Sequence, residues 1–328
     1  VVTADDPRTV PGPATRRPER AVLFFCADAA LDPVAHRVFD ASRRLLPLAE
    51  AGGEVDGMPV LVHRDRAGRE LVYVRTTDVL SHDYPRYLPL LAERFADFDV
   101  AMVVNWHEGA NAPDRIFMAH TTGDVTSGIF GPADAALTTA TLRAIERTRA
   151  EAGLDEYRTV TEATHWSGIV QGHAPELLAH YPVPVLDVEI GSTPESWADP
   201  RAVEVLARAL PRVFDEVDRS RTSVLFVGGI HFEPSIRDAL LGGACRSDLA
   251  VSHILANHWL AAGGYDQPQG EEKLEAGIRS IAGGVDAICF HDSLKGAMKE
   301  RVRAVAARLG VLAFNHRRLR DPAPLLPR

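Results

Sequence analysis

Short apolar runs rich in β-branched residues alternate along this chain with stretches of helical periodicity. That alternation constrains the fold more than any other feature. Residues 21–26, 71–75, 100–104, 116–119, 157–161, 183–190, 223–227, 287–290 and 311–314 read as strands. Residues 84–95, 133–152, 249–260, 271–281 and 295–309 read as helices. Asp32-Pro33 and Asp199-Pro200 each pair an N-cap with a proline at the first helical position. After the second of these, Val203, Leu206, Ala207, Leu210, Val213 and Phe214 recur at the spacing of one buried helix face. Strands alternating with helices predict an α/β fold with a mostly parallel sheet covered on both faces.

At 328 residues, 46% hydrophobic and 25% charged, the chain can bury a large core. We expect a single domain over residues 21–320, with possible halves at 21–218 and 219–320 and a C-terminal tail at 321–328. Residues 1–20, rich in Pro, Arg and Thr, read as a disordered N-terminal tail rather than a signal peptide. No apolar run approaches the roughly 20 residues that span a bilayer, so no membrane partner is expected. Cys26, Cys245 and Cys289 lie far apart without Cys-x-x-Cys spacing, which argues against a disulfide framework or a cysteine zinc site. A reducing compartment, the cytoplasm, is the expectation. The net charge of −9 speaks against a general nucleic-acid binder, and no DNA partner is expected. Residues 295–320 nonetheless hold eight Lys/Arg against the single Glu300. That stretch is either a solvated helix face or a surface that meets a polyanion.

In open α/β sheets ligands bind beyond the carboxyl ends of the strands, so the residues just after each strand are the ones to inspect. Six of them carry chemistry: Asn105-Trp106-His107-Glu108-Gly109, His120-Thr121-Thr122-Gly123-Asp124, Glu162-Ala163-Thr164-His165-Trp166, Glu189-Ile190-Gly191-Ser192, Gly228-Gly229-Ile230-His231-Phe232 and His291-Asp292. A lone histidine at such a place is more often a surface or capping residue. Several together with a carboxylate suit a hydrolytic zinc site with an open position, and equally a metal-free set of general bases. Gly228-Gly229 either lets backbone amides approach an oxyanion or forms a tight turn, and Gly191-Ser192-Thr193 has a plain N-cap as its alternative. Ser167 and Ser192 lack a nucleophile-elbow context. His253 and His258 read as packing or supporting residues on one helix, and His36, His82, His180 and His316 as surface.

Taken in order, these motifs resemble the archaeal and plant type of D-aminoacyl-tRNA deacylase, from about residue 71 to 310. The likeness is carried by Glu162-Ala163-Thr164-His165, by Val188-Glu189-Ile190-Gly191-Ser192 with Trp197 following, and by Gly228-Gly229-Ile230-His231-Phe232. Asn105-Trp106-His107 is similar to that family's Ser-Arg-His, His120-Thr121-Thr122-Gly123-Asp124 to its His-Thr-Pro-Gly-Asn, and Lys295-Gly296 to the end of its Trp-Lys-Gly.

The resemblance implies a three-layer α/β/α fold of the phosphorylase/hydrolase type, bound zinc, and hydrolysis of the ester joining a D-amino acid to the tRNA 3′ end. It points to His107, His120, His165 and Glu189 as metal ligands and to His231 and Lys295 as catalytic residues. Three departures stand out. Trp166 replaces the second histidine of a His-His pair, residues 108–111 replace a polar run, and Asp292-Ser293-Leu294 precedes Lys295 without the tryptophan. Glu108 is the expected catalytic substitute for the missing histidine. Trp166, Ser192, Gly228 and Gly229 are the expected substrate contacts, with Trp166 as a stacking wall. Two other readings stay open: a small-molecule amidase or peptidase on the same scaffold, and a non-catalytic aminoacyl-tRNA-binding protein.

Overall fold

The structure, a computed structural model, describes residues 18–109, 111–242, 248–321, 323, 325 and 326. Residues 1–17 of the expected N-terminal tail, Ala110, Cys245 and residues 322, 324, 327 and 328 of the expected C-terminal tail lie outside the described residues.

The first part of the chain runs through β1 (Arg20–Cys26), α1 (Ala35–Leu45), β2 (Ala49–Val55), β3 (Met58–Arg64), β4 (Glu70–Thr76), α2 (Tyr84–Arg94) and β5 (Val100–His107). It continues with β6 (Arg115–Thr121), β7 (Gly123–Asp124), β8 (Ile129–Phe130), α3 (Ala135–Glu151), β9 (Arg158–Thr161), β10 (Val185–Ser192), α4 (Pro194–Ala198) and α5 (Pro200–Ala209). The second part comprises β11 (Thr222–Val227), α6 (Pro234–Leu241), β12 (Leu249–Leu255) and α7 (Asn257–Ala262), then α8 (Gly270–Arg279), β13 (Ala287–Phe290), α9 (Gly296–Leu309) and β14 (Leu312–Asn315).

Two main sheets result, in the orders β2-β3-β4-β1-β5-β10-β6-β9 and β12-β11-β13-β14. The second is parallel throughout, and the centre of the first is parallel from β4 through β1 and β5 to β10. Because side chains alternate across a strand, the apolar run of β1 serves two cores. Ala21, Leu23 and Phe25 face the cluster of α1, α3 and α5, while Val22 and Phe24 face α2. In the second sheet, Val224 and Phe226 share the first of these clusters with α6, and Leu225 and Val227 pack on α8 and α9. Helices therefore cover both faces, giving the three-layer α/β/α architecture.

Three features depart from the sequence expectations, and each has a tertiary cause. Residues 249–255 form a strand, not the start of a helix; every one is buried, and β12 pairs in parallel with β11. His253 therefore sits on β12 and His258 on α7. The β2–β3 hairpin was not anticipated, since six of the seven β2 residues are exposed and carry no apolar alternation. Most important for the site, β6 runs antiparallel to β10, and β9 runs parallel to β6. Their ends point back along the sheet, so strand-end residues meet from opposite directions rather than along one carboxyl edge. The segment after β9 then ties the two sheets together: the Ala163 amide donates to the His231 carbonyl (2.9 Å) and the Thr164 amide to the Ile254 carbonyl (2.8 Å).

Three of the eight basic side chains of residues 295–320 pair with carboxylates of the same chain. Arg301 and Arg308 pair with Glu271, Arg308 also with Glu275, and Arg317 with Asp292. No helix among the described residues is long and apolar enough to cross a membrane.

Candidate active site

His107 ends β5, His120 lies near the end of β6, Glu162 and His165 follow β9, Glu189 lies on β10, and His231 follows β11. The fold gathers the other five around the Glu162 carboxylate, whose side chain is fully buried. Glu162 Oε1 is 2.7 Å from His231 Nε2, 3.4 Å from His107 Nε2 and 4.0 Å from His165 Nε2. His120 Nε2 faces Glu189 Oε1 at 3.4 Å and Asp187 Oδ2 at 3.8 Å, and its ring stacks on His165 at 4.0 Å.

The Nδ1 atoms of His107, His120 and His165 are held from outside. His120 Nδ1 donates to the Thr121 carbonyl (3.1 Å) and His165 Nδ1 to the Ala163 carbonyl (3.0 Å). Ser192 Oγ shares a 3.0 Å hydrogen bond with His107 Nδ1, and Trp197 Nε1 donates to the His107 carbonyl (3.1 Å). This is the arrangement that fixes ring orientation and tautomer in histidine sites.

Burial alone would raise the Glu162 carboxyl, but the His120 charge and the hydrogen bonds of His107 and His231 outweigh it and hold Glu162 well below the usual carboxylate range. Burial raises Glu189, reinforced by repulsion from Glu162 and opposed by His120. Burial opposes protonation of His120, but the surrounding carboxylates of Glu162, Glu189 and Asp187 overcome it and raise its pKa. Burial and repulsion from His120 push His165 down to about 3. Two neighbouring buried groups pushed in opposite directions mark a functional centre more often than a structural one.

Two donor sets here suit a metal ion, His107–Glu162–His231 and His120–Glu162–His165, each with its ligand atoms within 4.8 Å of one another. Glu162 Oε2 and His120 Nε2 are both buried without a hydrogen-bond partner. Two imidazoles and a carboxylate with unspent lone pairs fit a zinc-class ion. The carboxylate shared by both sets is Glu162, where the sequence reading had proposed Glu189. Glu162 stands in a motif that was singled out, and Asp187 is a charged residue inside an apolar strand. Both were visible in the sequence without a partner to give them meaning.

Beside the cluster a cavity of about 200 Å³ is lined by Ser81, His82, Asn105, Glu108, His165 and Glu189, among others. Glu108 is exposed at its rim. His82, expected on the surface, lines the same cavity, and His316 is buried against His291.

Other expected contacts lie elsewhere. Trp166 does not line this cavity: it is 4% exposed and packs edge-on against Tyr84 (5.3 Å) in the α2 core. Its indole covers Gly168, where a Cβ would come within 2.4 Å of Cζ2. Gly228 and Gly229, at φ +105° and +79°, form a tight turn. The Gly228 amide donates to the Leu255 carbonyl (2.8 Å), and Glu233 fills the turn, accepting from the Ile230 amide (3.2 Å). Lys295 is exposed at the N-cap of α9, and none of the cluster's contacts described here involves it. An aromatic neighbour at the site is Trp259, which stacks on His165 (5.7 Å) and meets His231 edge-on (5.3 Å).

The chain is similar to known proteins. A protein from Thermococcus kodakarensis named D-aminoacyl-tRNA deacylase is 30% identical over 197 residues, covering 58% of this chain and 65% of that protein. One of the same name from Pyrobaculum neutrophilum is 29% identical over 232 residues, covering 69% and 76%. The match thus spans just under two thirds of the Thermococcus relative's length. The crystal structure of a conserved protein of unknown function superposes with a TM-score of 0.70 at 17% identity, over 95% of this chain and all of that one, which bears on the fold alone. The family profile described as D-aminoacyl-tRNA deacylase matches residues 94–313, a span that includes every residue of the Glu162 cluster, and the chain belongs to that family.

Proposed function

We propose that this chain hydrolyses the ester that joins a D-amino acid to the 3′ end of tRNA, and that the Glu162 cluster is its catalytic centre in the cytoplasm. The observation that carries the reading is the convergence of three imidazoles on one buried carboxylate oxygen, Glu162 Oε1, beside a small polar cavity. His120, Glu162 and His165 are the residues that would hold a zinc-class ion. Such an ion, when bound, supplies Lewis-acid polarisation of the ester carbonyl.

The remaining groups handle protons and position. His231 Nε2–H donates to Glu162, which leaves Nδ1 as the base for the attacking water and as the donor to the departing 3′ oxygen. Ser192 orients His107 beside it. Asn105 donates to Asp187 through Nδ2 (3.0 Å), and its buried Oδ1 has no partner. That oxygen and the carboxylates of Glu108 and Glu189 would receive the substrate's ammonium in the cavity.

The test is release of amino acid from D- and L-aminoacyl-tRNA by the wild type and Glu162→Gln, with metal analysis of both. We expect turnover of the D-ester, a stoichiometric metal in the wild type, and a loss of about 10²–10⁴-fold in Glu162→Gln. A wild type inert on aminoacyl-tRNA but active on small amides or esters would replace this reading with the small-molecule one. Full activity in Glu162→Gln would remove the cluster from the chemistry.

A further inference from the structure

Beneath the cluster lies a buried imidazole that the chemistry above does not use. His253 is 0% exposed, and both its ring nitrogens have partners. Nε2 lies 2.9 Å from Ser280 Oγ, and Nδ1 lies 2.8 Å from Thr121 Oγ1. Thr121 Oγ1 is in turn 2.8 Å from Thr164 Oγ1.

The shortest contacts define one set of proton directions that satisfies every group, with longer contacts from Thr121 Oγ1 to the Ser252 carbonyl (3.5 Å) and from Thr164 Oγ1 to His253 Nδ1 (3.3 Å) beside it. The Ser280 hydroxyl is 2.8 Å from the Gly277 carbonyl, which can only accept, so Ser280 Oγ receives a proton from His253 Nε2–H. Burial keeps His253 neutral, so Nδ1 carries the lone pair and accepts from the Thr121 hydroxyl. Thr121 Oγ1 then accepts from the Thr164 hydroxyl, and Thr164 Oγ1 accepts from the Ile254 amide (3.0 Å). Each hydroxyl donates once and accepts once, and the network is fully satisfied.

We propose that His253, acting through Thr121 and Thr164, is the positioning residue that holds His120 and His165 in their working orientation; this rests on the function proposed above. The two threonines are where the site's outer support begins. Thr121 supplies the carbonyl that receives His120 Nδ1–H, and Thr164 lies between His165 and the Ala163 carbonyl that receives His165 Nδ1–H. Pinning both hydroxyls to one imidazole fixes the two peptide segments relative to each other, although one ends β6 and the other follows β9. Both Nε2 atoms therefore remain turned toward Glu162 and Glu189. Partners of this outer kind shift metal affinity or activity by about 10–100-fold when removed.

The test compares Thr121→Ser and Thr121→Val, and His253→Asn and His253→Leu, in the full chain. Nitrogen-15 histidine NMR reads the tautomer, Zn²⁺ titration reads affinity without substrate, and turnover is separated into kcat and KM. We expect His253 to be the Nε2–H tautomer in the wild type. Thr121→Val should weaken Zn²⁺ binding about 10–100-fold and lower kcat with little change in KM, while Thr121→Ser retains both. His253→Asn, which keeps an acceptor near the Nδ1 position, should exceed His253→Leu. An Nδ1–H tautomer, or a folded Thr121→Val that binds Zn²⁺ and turns over like Thr121→Ser, overturns the proposal. Because the tautomer and Zn²⁺ readouts need no aminoacyl-tRNA, they decide the positioning role even if the substrate assignment fails.

Discussion

Replacing Trp166 tests whether the residue that departs from the family motif belongs to the site or to the core. The indole is 4% exposed, and an aromatic ring of this kind buries about 150–250 Å². At about 25 cal/mol per Å² its burial contributes roughly 4–6 kcal/mol, in line with about 3–5 kcal/mol for truncation to Ala. That is a large part of the whole stability of a typical domain, so Trp166→Phe is the better probe. Gly168 supplies a second handle. A Cβ there would lie 2.4 to 2.7 Å from Cζ2, Cε2 and Cη2, atoms of the six-membered ring. Gly168→Ala should therefore cost about 1–3 kcal/mol by overpacking in the wild type. In Trp166→Phe the clashing part of the indole is gone, and the same substitution should be nearly neutral. The assay is urea unfolding of the four proteins of the cycle, followed by circular dichroism, with turnover measured where all are folded. We expect a coupling above about 1 kcal/mol and turnover in Trp166→Phe within roughly 3-fold of wild type. Additive effects, or a fully stable Trp166→Phe with lost turnover, would refute the packing argument and return Trp166 to the substrate.

Three shorter tests address the elements around the site. Gly229→Ala places a Cβ 2.2 Å from Glu233 Oε2 at a φ of +79°, so a loss of about 1–3 kcal/mol in urea unfolding is expected; unchanged stability would show that the turn relaxes easily. Ser192→Ala removes the hydroxyl on His107 Nδ1, and a loss of about 1 kcal/mol of orientation should lower kcat by roughly 5-fold with the fold intact, whereas unaltered kcat would leave His107 oriented by other contacts. Burial raises Asp32 from an ordinary 3.8 to about 7, although it accepts from the Val34 and Ala35 amides. Its contribution is fully present below about pH 4 and is lost as pH rises to about 7, on the order of 4 kcal/mol in all. Asp32→Asn should flatten the stability–pH profile over that window, and an unaltered slope would contradict the assignment.

Most of the α/β architecture was legible because it is written locally. The apolar runs of β1, β5, β10, β11 and β13, and the cap Asp199, depend on period and on neighbouring residues, whereas Asp32 binds the Val34 and Ala35 amides and α1 starts only at Ala35, after the N-cap Val34. The strand-end histidines were legible for the same reason, since a polar residue directly after an apolar run stands out in one dimension. Pairing was not. The seven residues of β12 form a strand because β11 lies beside them, and the same apolar string with His253 inside it reads equally well as a helix face. Trp166 followed a motif into what looked like a pocket, but Tyr84 and Gly168 draw it under the loop, a fact about three-dimensional neighbours. The roles of Glu162 and Glu189 depended on strand direction. Both carboxylates were in plain view, but only the reversed course of β6 and β9 brings Glu162 to the middle of four imidazoles. A sequence carries periodicity and residue chemistry along one line, whereas the choice of which carboxylate holds the centre is made by backbone pairing between distant segments, which brings together His231 and Glu162, 69 residues apart.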